Sequence, residues 1–204
     1  MIWRTRIAFN GGSGIVVRSA AAGLTTTEME LYRNAAPQFD LGGDGRTLND
    51  VGDGDTGANN LQNFPVADGY SIQEAFDNSR GVLVRGHLDA APLTTYEIYL
   101  VFGRRGQTSS DLEIVKYPYF GHITNVTTGA SGHADFTGLS ELVDGVSAFG
   151  FVARDLANNQ SEISDPMDIE DLVAETGCGA CGLEWLIIPA LAAWRRRRRA
   201  TSAP

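Results

Sequence analysis

Residues 7–17 read Ile7-Ala-Phe-Asn10-Gly-Gly-Ser-Gly-Ile15-Val-Val17, and this stretch decides the fold because it recurs further along the chain. The second copy begins 24 residues later and reads Leu31-Tyr-Arg-Asn34-Ala-Ala-Pro-Gln-Phe39-Asp-Leu41. Apolar residues coincide at three positions of the repeat, and an asparagine coincides at a fourth. A fixed period of this length is typical of solenoids, in which each turn buries its apolar side only against its neighbours.

The repeat predicts short strands, joined by Asn/Gly turns, that stack as turns of a parallel β-helix over residues 1–43. Asn10 and Asn34 would then lie at one corner and hydrogen-bond along the stack. Two ordinary strands that match by chance are the alternative. Because two turns are few for a solenoid, and because no apolar signal-peptide core follows Met1, we expect further turns upstream, in a longer chain or behind a misassigned start.

Residues 66–164 alternate between apolar and polar side chains, and turn residues separate the alternating segments. The segments are 81–88, 95–102, 121–127, 132–137, 146–154 and 161–164. About six short strands at this spacing predict an immunoglobulin-like antiparallel β-sandwich. Asp155, Asn158 and Asn159 are predicted to shape a turn after the fifth segment. The fold class is therefore all-β, with a β-helix end followed by a sandwich.

Residues 40–65 connect these two parts and are rich in Asp, Asn and Gly. Carboxylate and carbonyl oxygens on flexible backbone suit Ca²⁺, which takes six to eight oxygen ligands. The predicted calcium ligands are Asp40, Asp44, Asp53 and Asp55. The pair Asp53-x-Asp55 begins like an EF-hand, but Phe64 occupies the position that requires a glutamate, so the loop is not one. A solvated loop of good turn formers is the alternative.

The last 27 residues contain two cysteines, a short apolar segment and an arginine cluster. Cys178-Gly-Ala-Cys181 precedes the apolar segment 183–194, and arginines occupy residues 195–199. As a helix, this segment would be about 18 Å long, which is shorter than the ~30 Å hydrocarbon core of a membrane. The arginines resist translocation, so the C-terminus should stay in the cytoplasm and the preceding chain should lie outside.

Other functions for these tail motifs have weaker sequence support. A redox Cys-x-x-Cys needs a βαβ context, and a zinc site needs a second Cys/His pair. An arginine run can also bind nucleic acid, but a run directly after an apolar segment is better interpreted as a determinant of membrane topology. Without residues 178–204 the chain keeps 11 basic and 24 acidic residues, and its net charge changes from −9 to −13. Such an acidic body argues against a nucleic-acid partner.

The order of the tail motifs resembles the C-terminal sorting signals of the MYXO-CTERM class of bacterial surface proteins. The resemblance implies that Gly177 and Cys178 form the processing and anchoring site, while the nearby Cys181 leaves the processed residue open. It also implies a sorting or processing protease as a partner, attachment to the cell envelope, and a place at the cell surface or outside the cell.

The junction motifs carry a second resemblance, which extends over residues 6–164. The motifs are Asp40-Leu-Gly-Gly-Asp-Gly, Asn49-Asp50, Gly54-Asp-Thr-Gly and Asn60-Leu-Gln-Asn-Phe-Pro. They are similar to the end of many bacterial right-handed parallel β-helix surface proteins, where the helix leads into a β-sandwich. The resemblance implies an architecture and no particular substrate.

Together these features predict five consecutive segments. They are β-helix coils (1–43), a junction loop (44–65), an Ig-like sandwich (66–164), an acidic spacer (165–177) and a sorting signal with a short apolar helix (178–204). The three histidines, His87, His122 and His133, fall on separate segments, and no nucleophile or phosphate-binding motif is present.

We therefore expect an exported, surface-anchored, non-enzymatic structural or adhesion-type protein that contacts a glycan or protein. Ca²⁺ is the cofactor that the sequence suggests. The alternative is the C-terminal part of an extracellular β-helix polysaccharide lyase or hydrolase whose active site lies upstream of Met1.

Overall fold

A computed structural model describes residues 1–18, 21–74, 80–106, 111–114, 120–143 and 145–169. Its regular structure is almost entirely β-strand, as predicted, with one short 3₁₀ helix at Ala58–Leu61. The apolar helix predicted over 183–194 lies outside the described residues. Within the described part, no helix has the length and apolar character that a membrane span requires.

Six short strands form the N-terminal coil, which comprises residues 1–18 and 21–43. They are β1 (Ile2–Trp3), β2 (Arg6–Ala8), β3 (Ile15–Val17), β4 (Thr26–Thr27), β5 (Glu30–Tyr32) and β6 (Phe39–Leu41). β1 pairs with β4, β2 with β5 and β3 with β6, and all three pairs are parallel. Residues of β1, β2 and β3 each pair with the residue 24 positions later, which is the register that the repeat predicts.

Asn10 and Asn34 hydrogen-bond to each other at one corner of the coil, as predicted. The Oδ1 of Asn34 accepts bonds from the backbone N (3.1 Å) and the Nδ2 (2.9 Å) of Asn10. The Nδ2 of Asn34 donates to the carbonyl of Ile7 (3.2 Å) and to the Oε1 of Gln38 (2.7 Å). Because Asn34 is buried, these bonds satisfy an amide that would otherwise destabilise the stack.

Eight further strands form two antiparallel sheets that pack face to face. They are β7 (Val66–Glu74), β8 (Arg80–Asp89), β9 (Thr95–Arg105), β10 (Leu112–Glu113), β11 (Phe120–Thr127), β12 (His133–Glu141), β13 (Ala148–Asp155) and β14 (Met167–Asp168). One sheet has the order β12-β8-β7; the other has the order β10-β9-β13-β14, with β11 also paired to β9. Since β14 lies beyond Ser164, the second sheet extends into the range predicted as an acidic spacer.

The second sheet is the middle layer of the molecule and is buried on both of its faces. On β9, Ile98 and Leu100 belong to the core between the two sheets. Val101 on β9 and Val152 on β13 belong instead to a second core, which they share with coil residues such as Leu31. Two-sided burial explains why residues 148–153 form an almost continuous apolar run. The coil therefore packs directly against the sandwich, and the two parts share one apolar core.

A buried polar segment, Asn159–Ser164, joins the coil to the sandwich, and we call it the seam. Its residues were predicted to form a turn and a final strand. The turn is confirmed, because Asp155 Oδ1 accepts bonds from Ala157 N and Asn159 N, both at 2.8 Å. The strand over 161–164 is wrong: the segment runs beside β13 through single backbone bonds, and its polar side chains are buried.

Side chains of the seam accept hydrogen bonds from backbone amides of the coil. The bonds run from Gly23 N to Asn159 Oδ1 (2.8 Å), from Thr26 N to Gln160 Oε1 (2.7 Å) and from Leu41 N to Glu162 Oε1 (2.8 Å). Asn59, in the 3₁₀ helix, adds a bond from Leu24 N to its Oδ1 (3.0 Å) and donates its Nδ2 to the carbonyl of Gln160 (3.0 Å). Buried backbone N–H groups need such acceptors, so the seam is a requirement of the packing.

Glu162 is the one carboxylate of the seam, and it is only 2% exposed. Its second oxygen accepts a bond from Thr47 N (3.1 Å). Burial raises the pKa of Glu162 to about 7, although the bonds from Leu41 and Thr47 and the charge of Arg46 act in the opposite direction.

Glu162→Gln is expected to flatten the pH dependence of stability. The folded-state pKa of Glu162 lies above its ordinary value of 4.5, so its stabilising contribution is complete below that value and is lost as the pH rises through 7. Between pH 5 and pH 8 the loss is roughly 2 kcal/mol, because one pKa unit corresponds to about 1.4 kcal/mol. Urea unfolding in chelator at several pH values measures it.

Glu74→Gln is the matched control, because Glu74 is an exposed glutamate at the end of β7. This variant is expected to keep the wild-type pH dependence. An unchanged slope in Glu162→Gln would show that burial does not raise the pKa of Glu162.

Candidate metal centre

Two asparagine side chains hold the junction loop in place. Asn49 forms a pair of bonds with the backbone of Phe64, from its Nδ2 to the carbonyl (2.8 Å) and from Phe64 N to its Oδ1 (2.9 Å). Asn63 likewise accepts a bond from Asp50 N (3.1 Å) and donates to the carbonyls of Asp50 and Asp89, both at 2.8 Å. The carbonyl of Asp89 is part of β8, so these bonds fix the loop to the edge of the sandwich.

The chain reverses inside this loop and brings three aspartates together. Gly52 (φ +75°) and Asp53 (φ +53°) both adopt the left-handed backbone conformation, which favours glycine and tolerates aspartate. As a result, one carboxylate oxygen each from Asp50, Asp53 and Asp55 lies within 4.8 Å of the others. We call these three residues the aspartate triad; all three are half-buried.

The aspartate triad concentrates negative charge that the surrounding protein only partly compensates. Burial raises the pKa of Asp53 to about 6, and the neighbouring carboxylates of Asp50 and Asp55 act in the same direction. Burial and Asp50 also raise the pKa of Asp55. The Oδ1 atoms of Asp50 and Asp55 are inaccessible to solvent and accept no hydrogen bond from the part of the chain that the structure describes. Buried acceptors without donors are rare and costly.

A bound divalent cation would compensate both the charge and the missing hydrogen bonds. The ligand atoms are carboxylate oxygens, which suit Ca²⁺ or Mg²⁺ and not the softer ions that prefer nitrogen or sulfur. Ca²⁺ tolerates irregular coordination and takes six to eight oxygens, so water and nearby carbonyls would have to complete its shell. The irregular loop geometry therefore fits Ca²⁺ better than Mg²⁺, which demands near-octahedral ligands.

The structure brings two of the four predicted ligands together and places the other two elsewhere. Asp53 and Asp55 belong to the aspartate triad, whereas Asp40 is buried in β6, where it accepts bonds from Ser13 Oγ (2.7 Å) and Gly43 N (3.0 Å). Asp44 lies on the exposed surface and outside the triad. That calcium binds at the remaining pair stays a prediction.

Asp50 is the triad member that the sequence analysis did not select. The motif Asn49-Asp50 was used only for the resemblance of the junction, and Asp50 was not among the four predicted ligands. Asp50 lies three residues before Asp53, and the chain reverses at Gly52 between them. This turn is the sequence signal that could have identified Asp50 as a ligand. The other predicted site, Gly177 and Cys178, lies outside the described residues.

Comparison with known proteins adds no family to this description: no protein-family model and no curated protein sequence matches the chain.

Addition of Ca²⁺ is expected to raise the melting temperature at pH 7.5. At 10 mM Ca²⁺ and a Kd near that of extracellular modules, the stabilisation is about 1–3 kcal/mol, or roughly 3–8 °C. The gain should shrink at pH 5, because binding requires the carboxylate form and Asp53 has a pKa of about 6. Differential scanning fluorimetry with Ca²⁺, Mg²⁺ and chelator measures these shifts.

Asp53→Asn and Asp44→Asn form a matched pair of junction variants. Asp53→Asn removes a repelling charge from the triad, so in chelator its melting temperature should equal or exceed that of the wild type, while its calcium shift disappears. Asp44→Asn should keep the full shift. A calcium shift that survives in Asp53→Asn, or its absence from the wild type at 10 mM, would contradict the site.

Proposed function

We propose that this protein is an exported, cell-surface-anchored structural or adhesion-type protein without enzymatic activity, and that Ca²⁺ at the aspartate triad stabilises it. The observation that carries the proposal is the aspartate triad, with two buried oxygens that accept no hydrogen bond from the described residues. The shape of the β body and the sequence of the tail support it independently.

The architecture supports a structural role, because the coil and the sandwich are joined through a shared core and through buried polar bonds. Coil residues such as Leu31 and Leu41 pack with Val101 and Val152 of the middle sheet. Two parts joined in this way are expected to move as one unit, whereas two domains on a flexible linker move independently. The three parallel pairs of short strands in the coil are compatible with the β-helix end that the resemblance implies, and an Ig-like sandwich would follow in such a protein.

The chemistry of the aspartate triad supports a location outside the cell. Only three carboxylates converge, and one of them, Asp53, has a pKa raised to about 6. Affinity for Ca²⁺ follows the number and charge of the ligands, and extracellular modules of this kind bind in the range of about 10⁻⁴–10⁻³ M. A site of this affinity binds Ca²⁺ only where the calcium concentration is high, so Ca²⁺ would stabilise the protein after export.

The tail supports anchoring. Gly177-Cys178, the apolar segment 183–194 and the arginines 195–199 follow one another in the order of a sorting signal, after an acidic stretch that would hold the body away from the envelope. The partners in this proposal are a sorting or processing protease, the cell envelope and a glycan or protein ligand. An apolar segment of about 18 Å is too short for a permanent span, which favours removal of the tail after Cys178 is processed.

Cys178→Ala is expected to abolish surface attachment and tail removal in the native host. The proposal makes the Cys178 thiol the anchoring group, so the unprocessed protein should keep its arginines and its higher mass. Protease accessibility on intact cells and intact-protein mass spectrometry report these two effects. Cys181→Ala is the matched control, and it should behave like the wild type. Normal attachment and processing of Cys178→Ala would contradict the proposal.

A further inference from the structure

Five ionisable side chains meet on the solvent-exposed face of the three-stranded sheet. In the pairing of β8 with β12, His133 lies opposite Asp89, and Asp135 lies opposite His87. Residues two apart on a strand share a face, so these four side chains form a square on one surface. Asp68, from β7, reaches the same place beside His87. We call these five residues the His–Asp face.

The histidine side chains of this face are oriented by carboxylates. His133 Nδ1 lies 2.6 Å from Asp89 Oδ1, and His133 Nε2 lies 3.3 Å from Asp135 Oδ1. His87 Nδ1 lies 2.9 Å from Asp68 Oδ1. The two imidazole rings are 5.6 Å apart, and each has a nitrogen near the carboxylate of Asp89. The three histidines lie on separate strands, as predicted, but the pairing of β8 with β12 brings His87 and His133 close together.

His87 has the arrangement of a metal-binding histidine. An Nδ1–H that donates to a carboxylate fixes the tautomer and leaves the Nε2 lone pair available to a metal, as in carboxylate–histidine–zinc triads. Here Asp68 would accept the proton, and the Nε2 faces Asp89 Oδ2 at 4.0 Å. An ion with metal–ligand distances of about 2.0–2.2 Å can bridge two atoms at that separation.

We propose that His87, Asp89 and His133 bind a divalent transition-metal ion of the zinc class, with Asp68 as a positioning residue for the His87 imidazole. Mixed imidazole and carboxylate ligands suit Zn²⁺, Ni²⁺ and Cu²⁺, whereas Ca²⁺ and Mg²⁺ take oxygen alone. Three carboxylates face two imidazoles, so the face attracts cations when the imidazoles are neutral. His133 is exposed, and to bind the ion its side chain would turn away from Asp135, which faces its Nε2 at 3.3 Å, without disturbing the core.

His122 provides a matched comparison within the same protein. It is also a sheet histidine, but it lies on β11, and its Nε2 pairs with the amide oxygen of Asn125 (2.6 Å). Its ring packs at 5.5 Å against Tyr99. Neither a second imidazole nor a carboxylate bonds to it among the contacts of the described residues, so His122 is not expected to bind the ion.

Titration of the full-length chain with ZnCl₂ at pH 7.5, followed by calorimetry, tests the proposal. One equivalent of Zn²⁺ should bind, and His87→Ala and His133→Ala should each weaken binding at least tenfold. Asp68→Asn should weaken it by about tenfold, which is the usual effect of losing an outer partner. His122→Ala should bind as the wild type does. In the unmodified protein, the imidazole NMR signals of His87 and His133 should shift on zinc addition, and those of His122 should not.

Several results would overturn this proposal. They are no binding at 100 μM Zn²⁺, equal weakening in His122→Ala, and binding that is lost in Cys178→Ser/Cys181→Ser while surviving in His87→Ala. Circular dichroism of each variant checks folding, and Asp89→Asn provides a second variant that keeps both histidines. Asp53→Asn should keep zinc binding, so the outcome is separate from that of the calcium site.

Discussion

The rest of the structure depends on acceptors for the buried backbone amides of the coil. Gly23, Thr26 and Leu41 direct their N–H groups toward side chains of the seam. Thr26 and Leu41 are buried, so water cannot reach their N–H groups, and each unsatisfied N–H would cost about 1–3 kcal/mol. The amide and carboxyl side chains of the seam supply the oxygens. Burial of the coil against the middle sheet is therefore possible only because a polar segment is buried with it.

This constraint also positions the candidate metal centre. Asn59 links the 3₁₀ helix to the seam, and a few residues later Asn63 links the junction to Asp50 and to the end of β8. The loop between Asn49 and Asn63 turns back at Gly52, and this reversal brings like charges together at the aspartate triad. The repulsion between these carboxylates is thus a consequence of how the coil and the sandwich are joined. A cation bound at the aspartate triad would relieve it.

The sequence predicts those parts of the fold in which apolar residues recur at a regular spacing along the chain. The offset between Ile7 and Leu31 sets a register because stacked turns align equivalent residues, and alternation identifies most of the strands of the sandwich. The seam depends on bonds between side chains and backbone groups more than a hundred residues apart, such as Thr26 and Gln160, and no local pattern encodes them. The proximity of His87 and His133 likewise depends on the register between β8 and β12, which the alternation of apolar and polar residues does not determine.

Native-state hydrogen exchange tests the central claim, that the seam makes the coil and the sandwich one cooperative unit. The amides of Ile15 and Leu31 in the coil should exchange with the same free energy as those of Ile98 and Phe151 in the middle sheet. Gln160→Ala should lower both sets equally, because it removes an acceptor that the whole unit needs. Coil amides that exchange at a clearly lower free energy, with the sheet unaffected by Gln160→Ala, would contradict the account.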